Sequence, residues 1–132
     1  MIKTPLILRV QHVQITIPKG AEADARAFYC DILELKEIPK PEVLQTRGGF
    51  WLEIGGFQVH IGTEDNAERA NSKAHIAYEV ENLDAWREKL IENNIEILEG
   101  IQIPKYLRFE FRDPFGNRVE FLERNYEPQK KE

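Results

Sequence analysis

The stretch RFEFRDPFGNRVEFLE, residues 108–123, contains two alternating segments joined by a turn. In each segment apolar side chains occupy every second position, which is the pattern of a β-strand with one buried face. The DPFGN segment between them has Pro and Gly where a tight turn needs them. The sequence therefore predicts an antiparallel strand pair, and it leaves open what Glu120 contacts on the face opposite Val119 and Phe121.

The order of predicted elements occurs twice along the chain. LRVQHVQITI (8–17) and AHIAYEV (74–80) alternate like strands, and a segment with helical apolar spacing follows each, AEADARAFYCDILEL (21–35) and NLDAWREKLIENN (82–94). Three more strands are predicted after each helix: EVLQTR, GFWLEIG and FQVHIG in the first half, and IEILEG, YLRFEFRD and GNRVEFLE in the second. The polar residues 63–73 between the halves predict a loop. The chain thus contains a weak repeat of about 60 residues.

Composition restricts the classes of function. The 132 residues include 18 basic and 23 acidic side chains, for a formal net charge of -5. This balance gives no general electrostatic reason to bind nucleic acid or an anionic membrane, so a small-molecule ligand is expected. No apolar run is long enough to cross a bilayer. The lone Cys30 cannot form an internal disulfide, which together with the absence of a signal-peptide pattern predicts a cytoplasmic protein.

Three histidines and one glutamate form the candidate site. His12, His60, His75 and Glu120 all lie in predicted strands, opposite branched or aromatic residues. His12 precedes His75 by 63 residues, and His60 precedes Glu120 by 60, so each pair occupies corresponding places in the repeat. A pseudo-twofold axis would bring all four to one concave face, where they would suit Zn²⁺, Ni²⁺, Co²⁺, Fe²⁺ or Mn²⁺. The alternative is that each histidine is a hydrogen-bonded structural residue.

These segments carry a resemblance to a known family. HVQITI, the helix with AFYCDILEL, FQVHIG, AHIAYEV with NLDAWREKL, and RFEFRDPFGNRVEFLE resemble the vicinal oxygen chelate superfamily, which includes glyoxalases, bleomycin-resistance proteins and extradiol dioxygenases. The resemblance implies an α+β fold in which two βαβββ modules form a curved mixed sheet around one cavity. It predicts a single domain over residues 8–124, with modules at about 8–62 and 74–124, followed by a flexible tail at 125–132.

The resemblance also implies roles for the candidate residues. The family's metal ligands fall on His12, His60, His75 and Glu120, and Glu120 could also act as a catalytic base. One departure from glyoxalase I is that His60 stands where that enzyme typically has a glutamate. A metal-dependent lyase, isomerase or dioxygenase acting on a small oxygen-bearing substrate is therefore expected, with a divalent ion stabilising an oxyanion or enediolate.

Two alternatives remain open at this point. One is a metal-free drug-binding or metabolite-binding protein of the bleomycin-resistance type. The other is a thiol transferase of the fosfomycin-resistance type, which should have a cationic pocket, whereas few basic residues cluster near the predicted metal. The resemblance further implies a homodimer, in which the four ligands meet within one chain or across two.

Alternation places further polar residues on the predicted cavity face. Candidates for contact with a substrate are Gln14, Trp51, Glu53, Gln58, Glu79, Arg108 and Arg118. The two arginines could hold a substrate anion, because a guanidinium binds carboxylates and phosphates through paired donors. Each of these residues could equally lie at the rim or form a surface ion pair.

Overall fold

The computed structural model describes residues 4–125, and within this range seven strands and two helices are present. The strands are β1 His12–Ile17, β2 Lys36–Ile38, β3 Phe50–Ile54, β4 Phe57–Thr63, β5 His75–Glu79, β6 Tyr106–Arg112 and β7 Arg118–Arg124. The helices are α1 Glu22–Arg26, which continues into a π-helical turn at Ala27–Ile32, and α2 Leu83–Glu92. Short 3₁₀ turns lie at Glu42–Arg47 and Arg69–Asn71. Neither helix has the length and apolarity to span a bilayer.

The strands form two sheets that repeat one topology. The first sheet has the order β1-β4-β3-β2 and the second has the order β5-β7-β6. In each, the first strand of the module runs parallel to the last, and the last runs antiparallel to the strand before it. The predicted α+β class and its repeated modules are therefore confirmed.

The strand register confirms that the two halves correspond residue by residue. Gln14 lies opposite His60 in the first sheet, and Ala77 lies opposite Glu120 in the second. Since Gln14 and Ala77 each lie two residues after the first histidine of their module, His12 corresponds to His75. By the same register His60 corresponds to Glu120.

Two predicted strands do not form, and a third begins later than predicted. EVLQTR is the 3₁₀ turn Glu42–Arg47, whose Val43 is 85% exposed, and the edge strand lies earlier, at Lys36–Ile38. IEILEG makes only a single bridge, Leu98 to Glu110. At its end Gly100 lies against the Arg108 guanidinium, where an added Cβ would be 2.2 Å from Nη1. The first strand begins at His12 rather than at residue 8.

One core joins the apolar sides of both modules. Phe28, after α1, contacts Phe111 of β6, while Trp86 of α2 packs edge-on against Phe121 of β7. The buried Tyr29 hydroxyl donates a 2.6 Å hydrogen bond to the Asp113 carboxylate, so the two modules are also tied by a polar contact. Because side chains alternate along a strand, the histidines and Glu120 lie on the faces turned away from this core.

The predicted DPFGN turn is present and holds the second module on the first. The Asp113 carboxylate accepts hydrogen bonds from the backbone N–H groups of Phe115 (2.9 Å) and Asn117 (2.8 Å). The Asn117 side-chain amide donates to the carbonyl of Thr16 in β1, at 2.9 Å. The predicted tail falls almost wholly outside the described residues.

Candidate metal centre and adjoining pocket

His75 and Glu120 form the first part of the candidate centre. The β5 histidine presents Nε2 to Glu120 Oε1 of the neighbouring β7 at 3.1 Å. Its Nδ1 lies 3.0 Å from the backbone carbonyl oxygen of Lys73. A carbonyl oxygen can only accept, so Nδ1 carries a proton and Nε2 is the nitrogen that faces the carboxylate. The glutamate side chain is 10% exposed and the histidine 31%, so the pair opens to the outside on the histidine side.

Arg108 holds the second oxygen of Glu120, and Arg118 holds the neighbouring Glu110. Glu110 and Glu120 lie directly opposite each other on β6 and β7, a juxtaposition of like charges that is unfavourable without compensation. Arg108 compensates it by donating Nε to Glu120 Oε2 at 2.8 Å and Nη2 to Glu110 Oε2, while its Nη1 donates to the Ile101 carbonyl at 2.7 Å. Arg118 makes a bidentate pair with Glu110, at 2.7 Å for Nη2.

Hydrogen bonding in this network shifts the pKa values of Glu110, Arg108 and Arg118 toward their charged forms. The Arg118 contact, followed by the charges of both arginines, holds the pKa of Glu110 below its ordinary value. The contact with Glu120 raises the pKa of Arg108. The cluster therefore holds fixed, mutually compensated charges, and Glu120 Oε1 is the oxygen that remains directed at His75.

A stack of three rings occupies the corresponding place in the first module. The Trp51 and His60 rings are 3.8 Å apart between centroids and 2° from parallel, and His60 and His12 are 4.0 Å apart and 16° from parallel. His60 is only 5% exposed, and its Nε2 lies 2.9 Å from the Gln58 amide oxygen. Burial, with the nearby His12 as a smaller cause, lowers the pKa of His60 to about 4. His60 is therefore a neutral imidazole enclosed between two rings, while His12 is exposed at the end of the stack.

One chain does not bring the four predicted ligands together. Within residues 4–125, no group of three or more His, Cys, Asp or Glu side chains is placed to hold a metal ion. His12 pairs with His60 on the first sheet, and His75 pairs with Glu120 on the second. Within residues 4–125 the four candidate residues thus form two separate pairs.

A cavity of about 620 Å³ adjoins the ring stack. Its lining includes the predicted residues Gln14, Trp51 and Gln58, together with His12 and His60. Glu53 and Glu79 are not among its described lining residues, and Glu79 instead forms an exposed ion pair with Arg124 at 3.2 Å. Arg108 and Arg118, predicted as anion binders, are engaged with Glu110 and Glu120 as described above.

Sequence reasoning missed several residues of the site. Leu44 and Arg47 line the cavity because residues 42–47 fold as a turn rather than as the predicted strand, and Lys40, just before the turn, lines it as well. Glu110 was also missed, although alternation along YLRFEFRD places it on the same face as Arg108. Its spacing relative to the two arginines was the available signal.

Comparison with known proteins identifies the family. Residues 9–121 match the glyoxalase/bleomycin resistance protein/dioxygenase superfamily. The chain belongs to this superfamily. The chain is similar in structure to a glyoxalase family protein from Bacillus anthracis, with 41% sequence identity and a TM-score of 0.84. The match covers 93% of this chain and 100% of the Bacillus anthracis chain. No curated protein matches the sequence.

Two solved structures of lower sequence identity share the fold of this glyoxalase-superfamily chain. A glyoxalase/dioxygenase from Nostoc punctiforme is 21% identical, with a TM-score of 0.74 and coverage of 95% and 99% of the two chains. The fosfomycin resistance protein FosX from Listeria monocytogenes, in complex with Mn(II) and sulfate, is 18% identical, with a TM-score of 0.73 and coverage of 92% and 94%.

Proposed function

We propose that the protein is a metal-dependent enzyme of the glyoxalase type that acts on a small substrate with two neighbouring oxygens. His75 and Glu120 of one chain hold a divalent ion together with His12 of a second chain. The reaction class is lyase, isomerase or dioxygenase chemistry. Membership of the superfamily supports the class of enzyme, and the geometry at His75 supports the metal.

The observation that carries this proposal is the geometry of the two ring nitrogens of His75. Since Nδ1 donates to the Lys73 carbonyl, a neutral ring turns the lone pair of Nε2 toward Glu120 Oε1, 3.1 Å away. Two acceptors at that distance repel unless a proton or a cation lies between them. Two ligands of one transition-metal ion, each about 2.0–2.2 Å from it, are separated by about 3 to 3.5 Å. The pair therefore fits a divalent ion.

The third ligand is assigned to a second copy of the chain. His12 is the exposed counterpart of His75, and the contact of its Nδ1 with the Gln11 amide oxygen leaves Nε2 available. His60 is less suited to bind a metal, because its ring is enclosed by Trp51 and His12. If each of two copies related by a twofold axis supplied its His12 to the other, two equivalent sites would be complete. We therefore propose a homodimer.

The chain's own residues have distinct roles in this proposal. A divalent ion bound there would act as a Lewis acid toward the substrate oxygens. His12, His75 and Glu120 hold the ion, and Arg108 fixes Glu120 so that Oε1 faces His75. Arg108 holds Oε2 of Glu120, and the ion would occupy Oε1, so we assign Glu120 to metal binding rather than to proton transfer.

One observation favours a second candidate, a metal-free binding protein. Arg108 compensates the charge of Glu120 without any metal, and the 620 Å³ cavity is large enough for a small molecule. In that case His75 would carry a second proton and form an ordinary ion pair with Glu120.

Metal titration tests the choice between the two candidates. Mn²⁺, the ion present in the FosX complex, is titrated calorimetrically into protein purified without a tag and stripped with chelator, alongside Zn²⁺, Ni²⁺ and Fe²⁺. We expect about one ion per chain for the wild type and a loss of affinity of at least about 100-fold for Glu120→Gln. Glu99→Gln, which removes an exposed carboxylate, should bind normally. Failure of the wild type to bind any of these ions would favour the metal-free candidate.

A further inference from the structure

The cavity beside His12 has a charge opposite to that of the chain as a whole. The protein has a net charge of -5, yet the described lining residues of this cavity include two cations and no carboxylate. Lys40 and Arg47 supply the positive charge, and Gln11, Gln14 and Gln58 supply side-chain amides. Cavity walls of one charge sign concentrate ligands of the other sign.

The two cations are held at the cavity in different ways. Lys40 Nζ donates to the Gly48 carbonyl at 2.6 Å, which fixes the ammonium group while leaving two protons for another acceptor. Arg47 ends the 3₁₀ turn Glu42–Arg47, and its guanidinium makes no hydrogen bond or ion pair with other described residues. Its five donors are therefore available to an anion.

A close backbone contact just after Arg47 fixes the position of this turn against β4. Gly49 has a φ of +79°, and a Cβ added there would lie 2.0 Å from the Ile61 carbonyl oxygen. Only glycine permits this approach, which brings the end of the turn against β4. Arg47 is thus placed at the cavity by the strand beside it.

We propose that this cavity binds the anionic group of a small 2-oxygenated acid, with Lys40 and Arg47 as the residues that determine specificity for the negative charge. This names the substrate class for the site of the proposed function. The role of the acid as a substrate rests on that proposed function. The carboxylate or phosphonate lies between Lys40 and Arg47, and the oxygen-bearing carbon is directed toward His12. Flat substituents lie along the Trp51–His60–His12 stack, whose rings favour stacked partners.

Tryptophan fluorescence can test this proposal without any metal. The chain has two tryptophans, of which Trp51 lines the cavity and Trp86 packs in the core against Phe121. In the Trp86→Phe background Trp51 is the sole reporter. Two pairs of compounds that differ chiefly in charge, mandelate with mandelamide and lactate with lactamide, are titrated in the presence of chelator.

We expect saturable binding of an acid, at least about 10-fold tighter than that of its amide, and weakening by added salt. Lys40→Met and Arg47→Met should each weaken acid binding by about 3- to 10-fold and leave amide binding unchanged. Arg87→Met, which removes a guanidinium from α2 outside the cavity, is the matched control and should have no effect.

Equal affinity for acid and amide, no binding of either acid, or insensitivity of acid binding to the Lys40 and Arg47 variants would overturn the proposal. Because all titrations are made without metal, a failure here is distinguishable from a failure of the metal titration.

Discussion

At the scale of single residues, the two halves of the candidate centre orient their ligands by different means. In the second module Arg108 holds Glu120 through a charged hydrogen bond. In the first module His60 holds His12 through ring stacking. Sequence alternation was sufficient to place all four candidate residues on outward faces. It could not show that His60 would be covered by Trp51, because that depends on the cross-strand register between β3 and β4.

Removal of Arg108 should be costly for folding. Arg108→Met leaves Glu110 and Glu120 opposite each other with one arginine fewer, in positions about 10% exposed, so we expect a loss of about 3 kcal/mol in the free energy of unfolding. The double variant Arg108→Met/Glu120→Gln should recover part of this loss. Urea unfolding measures both, and a loss no larger than that of the exposed-pair variant Arg87→Met would contradict the assignment.

His60 should make the stability of the metal-free protein depend on pH. Its folded pKa of about 4 lies below the ordinary 6.5, so the unfolded chain binds this proton first as pH falls. Stability from neutral His60 is therefore fully present above pH 6.5 and is lost as pH falls toward 4, by as much as about 3 kcal/mol.

Comparison with His60→Gln isolates this contribution, because glutamine does not titrate. The free energy of unfolding of the wild type should fall more steeply than that of the variant between pH 6.5 and 4.5, measured by urea unfolding in chelator. A constant difference between the two proteins over this range would show that His60 is not enclosed as described.

At the scale of elements, the sequence predicted the long periodic segments well and the short ones poorly. The hairpin of β6 and β7 has strong alternation and a Pro-Gly turn, and it forms as predicted. In EVLQTR the two apolar residues, Val43 and Leu44, are consecutive rather than alternating, and Val43 remains exposed. The edge strand Lys36–Ile38 has three residues, too few for a period-2 pattern to stand out.

Gly49 should be the critical residue of the turn that carries Arg47. Gly49→Ala places a Cβ against the Ile61 carbonyl at a positive φ, so we expect a loss of at least about 3 kcal/mol in stability. Gly56→Ala is the matched control, because a Cβ there meets nothing within 4 Å, and its effect should stay within about 0.5 kcal/mol. Thermal unfolding of the two variants measures the difference, and similar losses would contradict the close approach at Gly49.

At the scale of the whole molecule, the repeat explains why the candidate metal ligands occur in matched pairs. The register equates His12 with His75 and His60 with Glu120. The sequence predicted this correspondence from spacing, whereas the separation of the pairs onto two sheets depends on how the modules pack through Phe28, Tyr29 and Asp113. Those contacts join residues far apart in sequence, so no local sequence pattern can predict them.

The most direct test of the shared metal centre is complementation between two defective chains. His12→Ala and Glu120→Ala are each stripped of metal, unfolded and refolded together in equal amounts, and Mn²⁺ binding is measured by calorimetry. Each variant alone should bind no tightly held ion. If the site takes His12 from one chain and Glu120 from its partner, random pairing leaves about a quarter of the wild-type sites intact. Absence of any restored site in a mixture that has been shown to contain the heterodimer would contradict a centre shared between two chains.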